Sequence, residues 1–295
     1  LAERDLADAE RLVDAAREQW RESPDVRAFG DQLRRLRAQS EMLEQVATLA
    51  QEKDFLAAEQ KLAAMPDVPA MLRTRVYDMK QDLARAQGLE GGFLLRVDEG
   101  GEHLVLRGET VTIGNVRQSR ADLPVLANLA GRHASIRRSM SFHGGMQDTV
   151  VAEDGEVRVG GRRVDRHVLQ HGDRVRLGPA LGFVYELPTS RSLTSRIALQ
   201  SGFQVAGTDR VLLLKDRGRD GRILIGPGRD AHVPVANATG EVEVFASNTG
   251  QMRVACADGG AIDGVAFRGE HPVAAGQLVE AAGVSFVLLP WRPST

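Results

Sequence analysis

The hydrophobic periodicity changes once, at Gly91-Gly92, and that change limits the possible folds more than any other feature of the chain. Upstream, Leu6, Ala9, Val13, Ala16 and Trp20 recur at spacings of three and four, which lines them along one stripe of an α-helix. Ser23-Pro24 ends that helix, because proline disfavours helix in the preceding residue and suits the first turn of the next. Val26, Phe29, Leu33, Leu36 and Leu43 carry a second stripe to about Leu49. The pattern predicts a third helix over Phe55–Ala64, stopped by Pro66, and a fourth over Ala70–Ala86 with Gly88 as its C-cap. Downstream, long helical periodicity is gone. Short runs such as Phe93–Val97, Leu104–Leu106, Val111–Ile113, Val157–Val159, Val175–Leu177 and Phe183–Leu187 alternate with turn clusters such as Asp98-Glu99-Gly100-Gly101 and His171-Gly172-Asp173. Many short strands punctuated in this way predict an all-β sandwich.

The β region repeats itself. Leu94-Leu95-Arg96-Val97-Asp98 is echoed by Leu213-Leu214-Lys215-Asp216, Val111-Thr112-Ile113-Gly114 by Ile223-Leu224-Ile225-Gly226, and Leu123-Pro124-Val125 by Val233-Pro234-Val235. Gly172-Asp173-Arg174-Val175 with Phe183-Val184 is matched by Gly276-Gln277-Leu278-Val279 with Phe286-Val287. Four landmarks in one order imply two copies of one sandwich. The expected organisation is α plus all-β: a helical hairpin domain over 1–90, a sandwich over 93–188, a linker over 189–209 and a second sandwich over 210–291. In the linker Leu193, Ile197, Leu199 and Phe203 predict a packed connector, with Ser/Thr kinase modification as the alternative. The helices carry a weaker echo, Glu3-Arg4-Asp5-Leu6 with Ala9-Glu10 against Glu52-Lys53-Asp54-Phe55 with Ala58-Glu59. Two such hairpins resemble tetratricopeptide repeats, at a spacing longer than the usual roughly 34 residues. They either bury their own stripes or offer a surface to a partner or a second copy.

Composition removes several function classes. Lys+Arg 38 against Asp+Glu 40 leaves a net charge of −2, too little for a protein that grips nucleic acid by bulk charge. No apolar run approaches the roughly 20 residues that span a bilayer. One cysteine, Cys256, excludes an internal disulfide framework and a cysteine-built zinc site. The N-terminus has no starting Met and no secretion signal, so a piece of a longer, cytoplasmic protein is expected. Residues 1–92 hold 14 basic and 18 acidic groups, net −4. Gly226-Pro227-Gly228-Arg229-Asp230 lacks the lysine and the helix of a phosphate-binding loop and reads as a turn. The seven histidines form no ligand pair, and Ser141-Phe142-His143-Gly144-Gly145 has the wrong order for a nucleophile elbow. No cofactor, no metal and no catalytic constellation is expected.

Thr112-Ile113-Gly114, Arg132-His133-Ala134-Ser135-Ile136, Val159-Gly160-Gly161-Arg162-Arg163-Val164 and Leu169-Gln170-His171-Gly172-Asp173-Arg174-Val175-Arg176-Leu177-Gly178 resemble a forkhead-associated (FHA) domain. The resemblance spans nearly all of 93–188. The second copy keeps little beyond Ile225-Gly226, Gly276 and the strand of Phe286. It implies a β-sandwich that reads phosphothreonine peptides with loops at one end. In that family an Arg after the Ile-Gly pair and a Ser three residues before the His contact phosphate, an Asn-Gly pair holds the peptide, and the His braces the loops. Arginine suits the task as a permanently charged, bidentate fork.

This chain departs from that pattern where phosphate would be touched. Asn115 follows Ile113-Gly114, Ala130 takes the Ser position, and Asp154-Gly155-Glu156 stands where the Asn-Gly turn is expected; in the second copy Pro227 follows Ile225-Gly226. Each lost charge-assisted contact costs about 1.5–3 kcal/mol. Residues 115–138 nevertheless carry Arg117, Arg120, Arg132, Arg137 and Arg138 against Asp122 alone. The candidate phosphopeptide- or partner-binding residues are therefore Asn115, Arg117, Arg120, Arg132, His133 and Gly160. The expected function is a non-enzymatic scaffold or adaptor in bacterial-style signalling or assembly that has lost phosphothreonine recognition. The alternative is a phosphothreonine reader with a non-standard arginine set. The expected partners are proteins, phosphorylated or not, with no nucleic acid and no membrane span, and self-association through the helices is the further alternative.

Overall fold

The computed structural model describes residues 3–20, 23–51, 55–65, 68–86, 88–89, 91–118, 121–140, 146–215, 218–248 and 250–291. The chain forms two compact units, Leu1–Ala86 and Gln87–Thr295.

In the first unit the helices are α1 (Glu3–Gln19), α2 (Pro24–Gln51), α3 (Phe55–Ala63) and α4 (Ala70–Ala86). The bounds follow the proline breaks expected from the sequence. Leu36, Leu43 and Val46 of α2 meet Ala58 and Leu62 of α3, Met65, and Leu72, Val76 and Leu83 of α4 in one core. α1 buries Val13, and its Glu10 is ion-paired with Arg37 of α2 at 2.8 Å. Two residues of the expected stripes face water: Trp20 is 59% exposed and Phe29 55%. The inward stripe of α2 runs one position away from Phe29, with Gly30 buried in its place.

Twenty strands are described in the second unit. They are β1 (Gly92–Val97), β2 (Gly101–Leu106), β3 (Thr110–Asn115), β4 (Leu123–Val125), β5 (Ala134–Met140), β6 (Met146–Ala152), β7 (Val157–Val159), β8 (Arg162–Val164), β9 (Arg166–Val168), β10 (Arg174–Leu177) and β11 (Leu181–Glu186). There follow β12 (Ser195–Leu199), β13 (Arg210–Leu213), β14 (Ile223–Gly226), β15 (Val233–Pro234), β16 (Val242–Ala246), β17 (Met252–Ile262), β18 (Val265–Pro272), β19 (Leu278–Ala281) and β20 (Val284–Pro290). Five make a small sheet, β4-β3-β5-β6-β9. The other fifteen make one sheet in the order β15-β14-β16-β17-β19-β20-β1-β2-β13-β12-β11-β10-β7-β8, with β18 beside β17.

Two apolar cores lie on this framework, and they divide the chain differently from the sequence expectation. The core between the small sheet and β7, β10, β11, β12 and β13 takes Ile197 and Leu199 from β12 and Val211 and Leu213 from β13. The other core takes Phe93, Leu95 and Val97 from β1, together with side chains of β14 to β20. The N-terminal hairpin thus packs on the last strand, with Phe93 opposite Pro290 and Val97 opposite Phe286. The hairpin β12–β13, from the expected linker and just beyond it, fills the corresponding place beside β11, with Phe183 opposite Leu199. Both hairpins offer β11 and β20 the same alternation of apolar side chains, so local pattern does not decide which core each one closes.

The hairpins meet in the middle of the sheet, where β2 and β13 pair in parallel, Leu104 opposite Val211 and Leu106 opposite Leu213. Leu104 and Leu106 face one core and Val105 the other; Val211 and Leu213 face one and Leu212 and Leu214 the other. Strands buried on both faces need unbroken apolar runs, which Leu104-Val105-Leu106 and Val211-Leu212-Leu213-Leu214 supply. Each such side chain withdrawn from water contributes about 1.5–3 kcal/mol.

A buried polar cluster fastens the β12–β13 hairpin to the small sheet. Asp148 of β6 accepts hydrogen bonds from Tyr185 Oη at 2.8 Å and Ser195 Oγ at 2.7 Å, and it is ion-paired with Lys215. Arg138 of β5 donates to the carbonyl of Leu214 at 2.6 Å. Burial alone would raise the Asp148 pKa; Lys215, Arg138 and the hydrogen bonds outweigh it and hold the carboxyl below its ordinary value. Burial pulls Lys215 down to about 8 against the attraction of Asp148, which leaves it charged at pH 7. His232 supplies a second joint: Nδ1 accepts the Leu224 N–H and Nε2 donates to the Thr194 carbonyl, each at 3.0 Å.

Asp148→Asn leaves the buried Lys215 ammonium without its full counter-charge, so unfolding in denaturant is expected to show a loss of about 3–5 kcal/mol. A loss below about 1 kcal/mol would mean that the cluster does not hold the hairpin.

Candidate functional site

Of the residues singled out by sequence, Asn115, Arg117, Arg132 and His133 gather at one end of the first core, in the loops after β3 and β4, beside the loop after β6. The loop after β3 is tied to the loop before β5 by Asn115 N–H to the Ala130 carbonyl at 3.1 Å. The loop after β6 is tied to the same segment by Asp154 N–H to the Arg132 carbonyl at 2.9 Å. His133 is buried between them. Its Nδ1 accepts the Ala130 N–H at 3.2 Å, and its Nε2 donates to the Glu156 carbonyl at 2.9 Å. Both bonds are made by the neutral ring with its proton on Nε2. The imidazole thus bridges the loop before β5 and the loop after β6.

Two glycines make room for this brace. A Cβ on Gly155 would lie 2.1 Å from the His133 ring, and one on Gly114 would lie 1.7 Å from the Gly131 carbonyl oxygen. The Leu-x-x-Gly-Asp block is structural in the same sense. Asp173 accepts the Gln170 N–H and the His167 Nε2–H, each at 2.9 Å, and Gly172 holds the turn at φ +88.

The side chains at this end are engaged with one another. Asn115 donates through Nδ2 to the Ala127 carbonyl at 2.8 Å and accepts the Arg117 N–H at 2.8 Å, so one N–H and the oxygen of its amide are used within its own loop. Ala130 has no hydroxyl to offer. The third loop is acidic: Glu153 takes Ser135 and Arg137, at 2.7 and 2.8 Å, and Glu156 is ion-paired with Arg158. The Ser135 hydroxyl and Arg137 hold the Glu153 carboxyl below its ordinary pKa. Arg117 and Arg132 are exposed, with no side-chain hydrogen bond or ion pair among the described residues. Arg120 lies outside the described residues. Gly160 is not brought to this end: β7 runs from the loop at Glu156 to the turn at Gly160, which places the glycine at the strand's far end. Its φ of +56 serves the turn into β8.

The corresponding end of the second core carries its own ion pairs. Pro227 follows Gly226, and Arg191 is held by Glu241 at 2.7 Å and Asp230 at 3.3 Å. Sequence reasoning missed this clamp because Arg191 comes from the segment read as a linker. Among the described residues no group of three or more His, Cys, Asp or Glu could hold a metal ion, and no helix is long and apolar enough to cross a membrane.

Gly155→Ala drives a methyl into the His133 ring and is expected to lower stability by more than about 2 kcal/mol. In a His133→Ala background the same change is expected to cost much less, because the clash is gone. Equal costs in the two backgrounds, measured by denaturant unfolding, would rule out the brace.

No family model matches the chain, and no curated protein matches it. Solved structures similar to it include a Synechocystis sp. protein at 25% identity, with a TM-score of 0.26 over 32% of this chain and 95% of that one. Another is the FHA-2 domain of a Mycobacterium tuberculosis ABC transporter, at 23% identity and a TM-score of 0.23 over 32% of this chain and 76% of that one. A third is Mycobacterium tuberculosis EmbR in complex with a low affinity phosphopeptide, at 15% identity and a TM-score of 0.23 over 61% of this chain and 51% of that one.

Proposed function

We propose that the chain is a non-enzymatic interaction scaffold or adaptor whose FHA-like β region is kept for its frame and no longer reads phosphothreonine. The observation that carries this reading is Asn115, whose side-chain amide is spent on Ala127 and Arg117 where the family places a free arginine. The missing hydroxyl at Ala130 and the carboxylates of Glu153, Asp154 and Glu156 support it, since a phosphate there meets like charge and fewer donors. The proposed setting is cytoplasmic signalling or assembly with protein partners. In that setting the tetratricopeptide-like helices serve as a second contact element or as the means of self-association.

One observation favours the second reading, a phosphothreonine reader with a non-standard arginine set. Arg117 and Arg132 are exposed at the loop end without ion-pair partners among the described residues, free to meet an anion. Calorimetric titration of the whole chain with a degenerate phosphothreonine peptide library and its unphosphorylated twin separates the two. The scaffold reading predicts no binding that depends on phosphate. Binding of the phosphorylated pool alone, weakened by Arg117→Ala or Arg132→Ala, would replace it with the reader.

A further inference from the structure

The outer face of the large sheet, at its β8 edge, carries arginines in register. Arg158 of β7 stands directly opposite Arg163 of β8 on one side and Arg176 of β10 on the other. Directly opposite residues in antiparallel strands have Cβ atoms about 4.5–5.5 Å apart, and like charges so placed repel. Arg174 lies on the same face two residues along β10. All four are exposed, while Val157, Val159, Val175 and Leu177 alternate with them into the core. Among the described residues, Arg158 of these four has an ion-pair partner, Glu156. The side chains of Arg163, Arg174 and Arg176 have no hydrogen-bond or ion-pair partner among the described residues. Four arginines against Glu156 give this face a charge of 4 − 1 = +3 in a chain whose total is −2.

The surroundings narrow what could answer that charge. Beside the row the sheet floor is low and open: Gly182 is opposite Arg176, Val184 opposite Arg174, and Ala198 opposite Val184. Phe183 and Tyr185 of β11 point into the core, so this part of the face offers no aromatic ring on which a base could stack. Nor does it carry large apolar side chains to enter a lipid surface. An extended peptide with alternate acidic residues presents carboxylates on one side about 6.6–6.8 Å apart and fits a flat basic strip.

We propose that the outer face of β8, β7 and β10 docks an extended acidic segment of a partner protein, with carboxylates answering Arg163, Arg158, Arg176 and Arg174. This surface is separate from the loop end and stands whether or not that end reads phosphate.

The test uses the whole chain and a fluorescein-labelled dodecapeptide of alternating Glu and Thr, followed by anisotropy at low and high salt. The expected result is saturable binding that weakens with salt. The paired change Arg163→Gln with Arg176→Gln should raise the dissociation constant by about tenfold. Arg163→Lys with Arg176→Lys should keep most of the affinity, and Arg117→Ala with Arg132→Ala should leave it unchanged. The Gln pair should melt no lower than the parent, because it removes repulsion rather than support. The proposal is overturned by absence of saturable binding, by equal affinity of the Gln pair and the parent, or by loss of binding in the loop-end pair instead. Tighter binding of a dodecathymidylate or of phosphatidylserine vesicles than of the peptide would also overturn it.

Discussion

The parallel pairing of β2 with β13 is the constraint on which the rest of the β unit depends. Each strand is the inner edge of a hairpin that belongs by sequence position to one sandwich and by packing to the other. Phe93, Leu95 and Val97 close the core built by the C-terminal strands, and Ile197, Leu199, Val211 and Leu213 close the one built by the strands before them. The exchange joins two sandwiches into one sheet and leaves neither with a free inner edge, the feature most prone to unwanted pairing. It also gives the two cores shared walls, since Val105 and Leu106, neighbours in the chain, face different cores.

A hydrophobic hairpin can in principle close either core, so something less interchangeable has to decide. Asp148 is the least interchangeable group at this joint. It is 2% exposed and binds Tyr185 from β11, Ser195 from β12 and Lys215 just beyond β13. A buried ion pair is weak evidence for stability but can specify register, because a wrong partner leaves a charge unanswered. The first hairpin has no counterpart to Ser195: the matching segment of β1 is all apolar apart from Arg96, which faces water and pairs with Glu102 at 2.6 Å. The same frame fixes the loop end, where His133, Gly114 and Gly155 hold three loops together and Asn115 bonds Ala127 and Arg117 within its own loop.

Much of this was legible in the sequence, for reasons that can be named. The four helices follow from stripes bounded by Pro24, Pro66 and Gly88, and β3, β10 and β11 follow from alternation between glycine-rich turns. That Asn115 and Ala130 stand at the ends of the loop beside His133 was readable residue by residue. The exchange was not, because period-2 alternation says which face of a strand is apolar and nothing about which core receives it. One signal was available: Leu104-Val105-Leu106 and Val211-Leu212-Leu213-Leu214 do not alternate, which marks strands buried on both faces. The repeat misled as well. It matched Leu94–Asp98 to Leu213–Asp216, whereas the structure sets β13 in the place that corresponds to β2. The arginine row was equally invisible, since Arg158, Arg163 and Arg176 become neighbours only through strand register.

The exchange can be tested with two cysteine pairs, the native Cys256 being buried. Arg96 stands opposite Val287, and Val184 stands opposite Ala198. If each hairpin instead closed the sandwich it adjoins in sequence, Arg96 would face Val184. Arg96→Cys with Val287→Cys is therefore expected to form an intramolecular disulfide on mild oxidation, since opposed strand residues fall within disulfide reach. Arg96→Cys with Val184→Cys is expected to stay reduced. The opposite result, with the second pair cross-linked and the first reduced, would contradict the exchanged arrangement.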